Sequence, residues 1–277
     1  MTYVVGDEAR TGTALSRRSF LATVAAAGTT LPLTANAQSS LPSTATQPGL
    51  KVLSAGSTLY GMRGAAETFA RGAGIAVAVA TDHGHNIETF ALNGAADADV
   101  VVIPTAMMAK LTAADRADKA TLIEIGAVRI GAAVHERARR PDVSRIDTLR
   151  AAVLAAKEVL LTNAPTGDHL AQVFVRIGVE ADVKTKLKRF DTATLLNRYI
   201  AEHPEIDALG FGPTTEILGW RGKGVVMAGT LADGIQVVLP YQAGMLKRTQ
   251  SPEGARSLLS FMTTPPSQKY FRDSGVE

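Results

Sequence analysis

The sequence predicts an α/β protein made of two successive β-α series, each an open, mostly parallel sheet flanked by helices. Three observations lead there. From residue 50 onward, short apolar runs of strand length alternate with segments of helical periodicity. Loops rich in Gly, Ser, Thr, Asn and Asp follow the runs and feed the helices. A chain of 277 residues, 46% hydrophobic and 20% charged, is long enough for one large domain or two modest ones.

The first series opens with a buried strand at Leu50–Ser54 and a helix over Tyr60–Gly72, whose Met62, Ala66 and Phe69 share a face. A strand at Ile75–Ala80, a short helix at Ile87–Asn93 stopped by Gly94, and a strand at Val100–Ile103 follow. In the second series, strands are expected at Val128–Val134, Glu158–Thr162, Leu187–Phe190 and Ala208–Phe211. Helices are expected at Ile146–Ala156, Gly167–Ile177 and Ala193–His203. Apolar runs at Val225–Ala228 and Ile235–Leu239 precede two closing helices, Pro252–Met262 and Ser267–Ser274. No internal sequence repeat stands out.

Composition excludes several functions. A net charge of +3 without a basic block gives no footprint for nucleic acid. The absence of Cys excludes disulfides, thiolate metal sites and cysteine nucleophiles. The N-terminal segment reads as an export address: twin arginines Arg17 and Arg18 with Phe20 and Leu21, a mildly apolar stretch, then Ala35-Asn36-Ala37 as a small-residue cleavage site. A twin-arginine signal over residues 1–37, cleavage after Ala37, a polar linker over 38–49 and a periplasmic destination are expected.

In open α/β sheets, ligands bind beyond the carboxyl ends of the strands. The loops there carry hydroxyls and glycines: Ser54–Leu59 with Ser57 and Thr58, Thr81–Asn86 (T-D-H-G-H-N), Asn163–Ala171 with Thr166, Gly167, Asp168 and His169, Asp191–Thr194 with Thr192, and Gly212–Glu216. Singly, each reads first as helix capping. As a set they suit a cleft lined by helix N-termini, which favours a small anion.

These segments resemble the periplasmic substrate-binding proteins of ABC importers, in particular the molybdate-binding group. The resemblance is carried by L-K-V-L-S-A-G-S-T-L at the start of the first strand, N-G-A-A-D-A-D-V-V-V-I-P (Asn93–Pro104), R-R-P-D-V-S-R-I-D-T-L-R (Arg139–Arg150), N-A-P-T-G-D-H-L-A, and the tail from Ser251 to Gly275. It implies a two-lobed type II periplasmic-binding fold with the ligand cleft between the lobes. Lobe one would be 50–129 plus 237–277, and lobe two 130–236. It also implies a monomer that hands a small anionic ligand to a membrane permease, with neither cofactor nor catalysis. By motif, the family's first ligand serine is Ser57, and its second falls at His83, Gly84 or His85, next to Asp82. The second-lobe backbone donors fall at Thr166 or Gly167 and at Thr192. The family's ligand tyrosine falls at Phe211, followed by Gly212 and Thr214. Two positions depart from that pattern: Phe211 lacks a phenolic hydroxyl, and histidines replace a serine loop. A small organic carboxylate therefore stands beside an inorganic oxyanion such as molybdate as the ligand class.

Three other readings are open. His83, His85 and His169 with Asp82 or Asp168 have the ligand types of a zinc-like metal site, without a specific spacing. An exported hydrolase would want a G-x-S-x-G elbow, whose second glycine A-G-S-T-L lacks. A scaffold with a silent cleft would need a large exposed apolar patch. His135 and His203, near Arg- or Pro-rich turns, are expected at the surface.

Overall fold

The computed structural model describes residues 49–277. The expected signal, its cleavage site and the linker through residue 48 lie outside the described residues. The chain begins with β1 (Leu50–Ala55), a 3-10 turn (Gly56–Thr58) and α1 (Leu59–Ala73). It continues through β2 (Val77–Asp82), α2 (Gly84–Leu92), β3 (Val100–Pro104), α3 (Thr105–Ala113) and β4 (Ile123–His135). Then come α4 (Ile146–Ala155), β5 (Glu158–Thr162), α5 (Pro165–Arg176), α6 (Glu180–Lys184), β6 (Leu187–Phe190) and α7 (Ala193–Glu202). The last elements are β7 (Ala208–Pro213), α8 (Thr214–Leu218), β8 (Val225–Thr230), β9 (Val238–Met245), α9 (Pro252–Met262) and α10 (Pro265–Asp273).

The strands form one continuous mixed sheet in the order β2-β1-β3-β9-β4-β7-β5-β6, with β8 also on β4. Its halves share a plan that the sequence does not reveal as a repeat. In the first, β1 pairs in parallel with β2 and β3; in the second, β5 pairs in parallel with β6 and β7. Both triplets then meet an antiparallel crossing strand. In both, the chain turns out to one side of the founding strand and then to the other, which is a topological switch point at the carboxyl ends of β1 and β5.

β4 joins the halves. Ile123–Arg129 pairs with β9, and Ile130–His135 pairs with β7 and β8. At the changeover, the Gln236 side chain takes the place of a strand: its Oε1 accepts from Ile130 N–H at 2.8 Å and its Nε2 donates to Ile130 O at 3.0 Å. The cores divide at the same place. Leu50, Val52, Met62, Val100–Ile103, Val128, Leu258 and Phe271 pack together, while Ile130, Leu149, Val159, Leu161, Phe174 and Leu209 form a second cluster.

The structure differs from the sequence expectation at several boundaries. β4 starts five residues before the apolar run that signals it, because β9 and the C-terminus supply partners that local pattern does not show. Ala127 N–H donates to Glu277 O at 2.7 Å, across a bulge where Gly126 adopts φ +127°. The run at Ile235–Leu239 is not one strand: Asp233–Ile235 is a 3-10 turn with Ile235 buried in the second core, and β9 begins at Val238. α3, α6 and α8 lie outside the expected elements; the last two have 5 residues each, too short to display a periodicity. His135 is buried, its ring Nδ1 accepting from Arg137 N–H at 3.2 Å, which corrects the surface expectation.

Candidate functional site

Ser57 sits just past the carboxyl end of β1, at the first switch point. Its buried hydroxyl crosses to the other half of the sheet and donates to Glu216 Oε1 at 3.0 Å. Thr58, fully buried, turns inward: its Oγ1 lies 2.9 Å from Ser54 Oγ and donates to Ala55 O at 3.2 Å. The two hydroxyls of G-S-T therefore divide the work, one holding the turn and one reaching outward.

Glu216 lies in the first turn of α8, and that short helix packs on the 3-10 turn carrying Ser57. It is half-buried and, among the described residues, has no cationic side chain within ion-pair distance. Burial pushes its carboxyl above the usual range, with the Ser57 hydroxyl and the His83 charge acting in the opposite direction. Tyr241 on β9 completes the cluster. Burial raises its hydroxyl to about 12, with Ser57 holding it down and the Glu216 charge adding to the rise. Tyr60, at the start of α1, is raised by burial and by Glu216, and its ring covers Gly219 so closely that a Cβ there would lie 2.2 Å away. Ser57, Tyr60, Tyr241 and Glu216 thus bring hydroxyl donors and one carboxyl together across the two halves.

The loop T-D-H-G-H-N is the entry to α2. Asp82 Oδ1 accepts from His83 N–H at 2.7 Å and from Asn86 Nδ2 at 2.8 Å, which ties the loop to the start of α2. His83 and His85 are exposed. His85 Nδ1 lies 3.7 Å from Glu88, whose buried carboxylate is held by Lys110 at 2.8 Å. Gly84 lies against α3, where a Cβ would meet Met107 Sδ at 3.1 Å.

In the second half, α5 starts at Pro165, two residues earlier than periodicity suggests. Gly167 is required by close approach, since a Cβ would lie 2.0 Å from Thr162 O. Its N–H is taken by Ala164 O at 2.8 Å. Asp168 pairs with Arg189 at 3.0 Å, and His169 Nε2 contacts Ile235 O at 3.0 Å. Thr192 caps α7, its Oγ1 accepting from Leu195 N–H at 3.1 Å. Gly212 and Thr214 are buried at the end of β7 and the start of α8, and a Cβ at Gly212 would enter open space.

Phe211 lies on β7. It is buried in the second core, its ring 5.8 Å from that of Phe174 in an edge contact. A strand buried on both faces, as β7 is, gives no alternation from which to tell which way Phe211 faces. The metal reading also fails to gather its residues: among the described residues no group of three or more His, Cys, Asp or Glu is placed to hold an ion. For the hydrolase reading, Ser57 bonds a carboxylate, with no histidine nitrogen on its hydroxyl among the described residues. Sequence reasoning missed Glu216 and Tyr241. The available signal for the first was an acidic residue closing a loop, Gly212–Glu216, that is otherwise free of charge.

Comparison with known proteins agrees with the architecture. The chain is 28% identical over 255 residues to the aconitate isomerase of a Pseudomonas species, covering 90% of this chain and 95% of that one. The periplasmic molybdate-binding protein of Azotobacter vinelandii superposes with a TM-score of 0.65 at 18% identity, over 82% of this chain and 98% of that one. The sulfate-binding protein SubI of Mycobacterium tuberculosis superposes with a TM-score of 0.64 at 15% identity, over 83% and 86%. Described residues contain no helix long and apolar enough to cross a membrane. With residues 50–277 matching its family pattern, the chain belongs to the bacterial extracellular solute-binding proteins, on a type II periplasmic-binding fold.

Proposed function

We propose that this chain is exported through its Arg17-Arg18 signal and captures a small organic anion, a di- or tricarboxylate, between the two halves of the sheet, for delivery to the permease of an ABC importer. The observation that carries the reading is the Ser57 hydroxyl at the β1 switch point, which already holds a carboxylate oxygen at 3.0 Å. Ser57, the Thr166 amide, the Thr192 turn and the Gly212–Thr214 segment are the proposed contacts. His83 and His85 form an exposed rim, with Asp82 holding their loop in shape. Phe211 is left out of the proposed contacts because its ring packs in the second core. A carboxylate ligand is favoured over an inorganic oxyanion by the relative named for aconitate.

A thermal-shift panel of di- and tricarboxylates, molybdate and sulfate tests this. Ligand at 100 times its Kd adds about 2.7 kcal/mol to stability. A carboxylate giving the largest shift is the expected outcome, and no shift with any anion rejects capture.

A second reading is favoured by the same cluster. A carboxyl raised by burial and unpaired with a cation is suited to take a proton from a carbon next to a carboxylate and return it at the far end of an allylic system. That sequence moves a double bond without any oxidant, reductant or cofactor, as in isomerisation of aconitate. Proton NMR of cis- or trans-aconitate with the protein in D2O decides it: interconversion with deuterium incorporation supports catalysis, and binding with unchanged spectra leaves capture alone.

A further inference from the structure

A cleft that takes carboxylates contains a carboxylate of its own, and the two cannot meet as bare anions. An ionised carboxylate only accepts hydrogen bonds. Glu216 Oε1 already accepts from Ser57, a residue proposed to contact the ligand. The groups around it do not neutralise it. Tyr60 from α1 and Tyr241 from β9 are phenols, and Ser57 from the 3-10 turn is neutral. His83, from the β2–α2 junction, acts on it only through its charge and is itself exposed. No Lys or Arg among the described residues pairs with it. A dianion or trianion drawn in by Ser57 and the helix N-termini would raise the cost of the Glu216 charge further, because like charges a few ångströms apart in a partly desolvated site repel strongly.

We infer that ligand capture is proton-coupled through Glu216: one hydrogen ion enters with the anion and is held between the Glu216 carboxyl and a ligand carboxylate. This rests on the proposed capture of a carboxylate in the cleft. It makes Glu216 a specificity-determining residue. A ligand that shares a proton readily, such as a polycarboxylic acid, is accepted. Sulfate, a much weaker base than a carboxylate, shares that proton poorly and binds less well. The sign follows from linkage: proton uptake on binding means that affinity falls as pH rises, by at most about tenfold per pH unit for one proton.

The test is calorimetric titration of the full chain with trans-aconitate, at one pH, in two buffers of different ionisation heat. Uptake approaching about one proton per ligand is expected for the wild type. Glu216→Gln retains an acceptor for Ser57 and offers a permanent N–H donor to the ligand. It should bind without proton uptake, with a flat pH profile, and more tightly than the wild type at pH 8. His83→Asn should keep the uptake, which separates the carboxyl from the imidazole. Binding without uptake, or uptake unchanged in Glu216→Gln, overturns the inference and leaves capture standing. No binding of trans-aconitate by either protein overturns the inference, while capture itself stands or falls with the whole anion panel.

Discussion

Two strand-end loops differ in a telling way: Thr81–Asn86 after β2, and Gly212–Glu216 after β7. The β2 loop has the residues that attract attention, two histidines and an aspartate. Yet its histidines are exposed and its aspartate spends its oxygen on the local turn. The β7 loop is bland in sequence, but its Glu216 is half-buried, crosses to Ser57, and adds to the rise that burial causes in the hydroxyls of Tyr60 and Tyr241. Chemical character in sequence and chemical engagement in the fold have separated. A reactive residue type on a solvated turn is satisfied by water, whereas an ordinary carboxyl becomes unusual once desolvated.

Substitutions can break this contrast at graded cost. The largest effect is expected next to the β7 loop, at Phe211. Phe211→Ala should destabilise by about 3–5 kcal/mol in chemical denaturation, because the ring fills the core beside Phe174. Phe211→Tyr sharpens the point: a hydroxyl buried without a partner should cost about 1–3 kcal/mol, while ligand affinity stays as it was. Improved oxyanion binding by that variant would instead place the ring in the cleft.

Glu216→Gln should stabilise the ligand-free protein at pH 7. A carboxyl raised in the folded state holds its proton where the unfolded chain has lost it, so stability falls as pH climbs from the unfolded range of about 4.3 through the folded value. The advantage of the variant should therefore shrink toward pH 4, where the carboxyl is protonated folded and unfolded alike. Thermal melts against pH measure this, and a constant difference would mean that Glu216 does not titrate abnormally.

Smaller effects belong to the β2 loop. Asp82→Ala removes two exposed hydrogen bonds at the start of α2 and should cost about 1 kcal/mol. His83→Ala and His85→Ala should each change stability by less than about 0.5 kcal/mol. A loss several times larger at either histidine would show that the loop is engaged in a way its exposure does not reveal.

Much of this molecule is legible in its sequence. The β-α rhythm places β1, β3, β5, β6, α7 and α9 within a residue or two, since buried strands and amphipathic helices advertise themselves by composition and period. Ser57 is legible only as one of a set of hydroxyl-bearing loops and through the family motif, since a Ser-Thr pair before a helix reads first as a cap. Glu216 closes a loop that the sequence marks, yet nothing local distinguishes a capping glutamate from one that reaches the other half of the sheet. The motif aligns Phe211 with the family's ligand tyrosine; in the fold its ring packs against Phe174, and β7, buried along its whole length, gives no alternation to tell which face the ring takes.

The sequence by itself determined what depends on near neighbours: where backbone polar groups can be paired along the chain, which faces are apolar, and which loops start helices. These follow from sterics and hydrogen-bond accounting over a few residues. The tertiary structure alone decided which loops meet. Ser57 and Glu216 are 159 residues apart, and their 3.0 Å contact exists because β4 and β9 cross between the halves and α8 packs against the turn after β1. Electrostatic character is settled at that level too, since desolvation and pairing are properties of surroundings rather than of residue type.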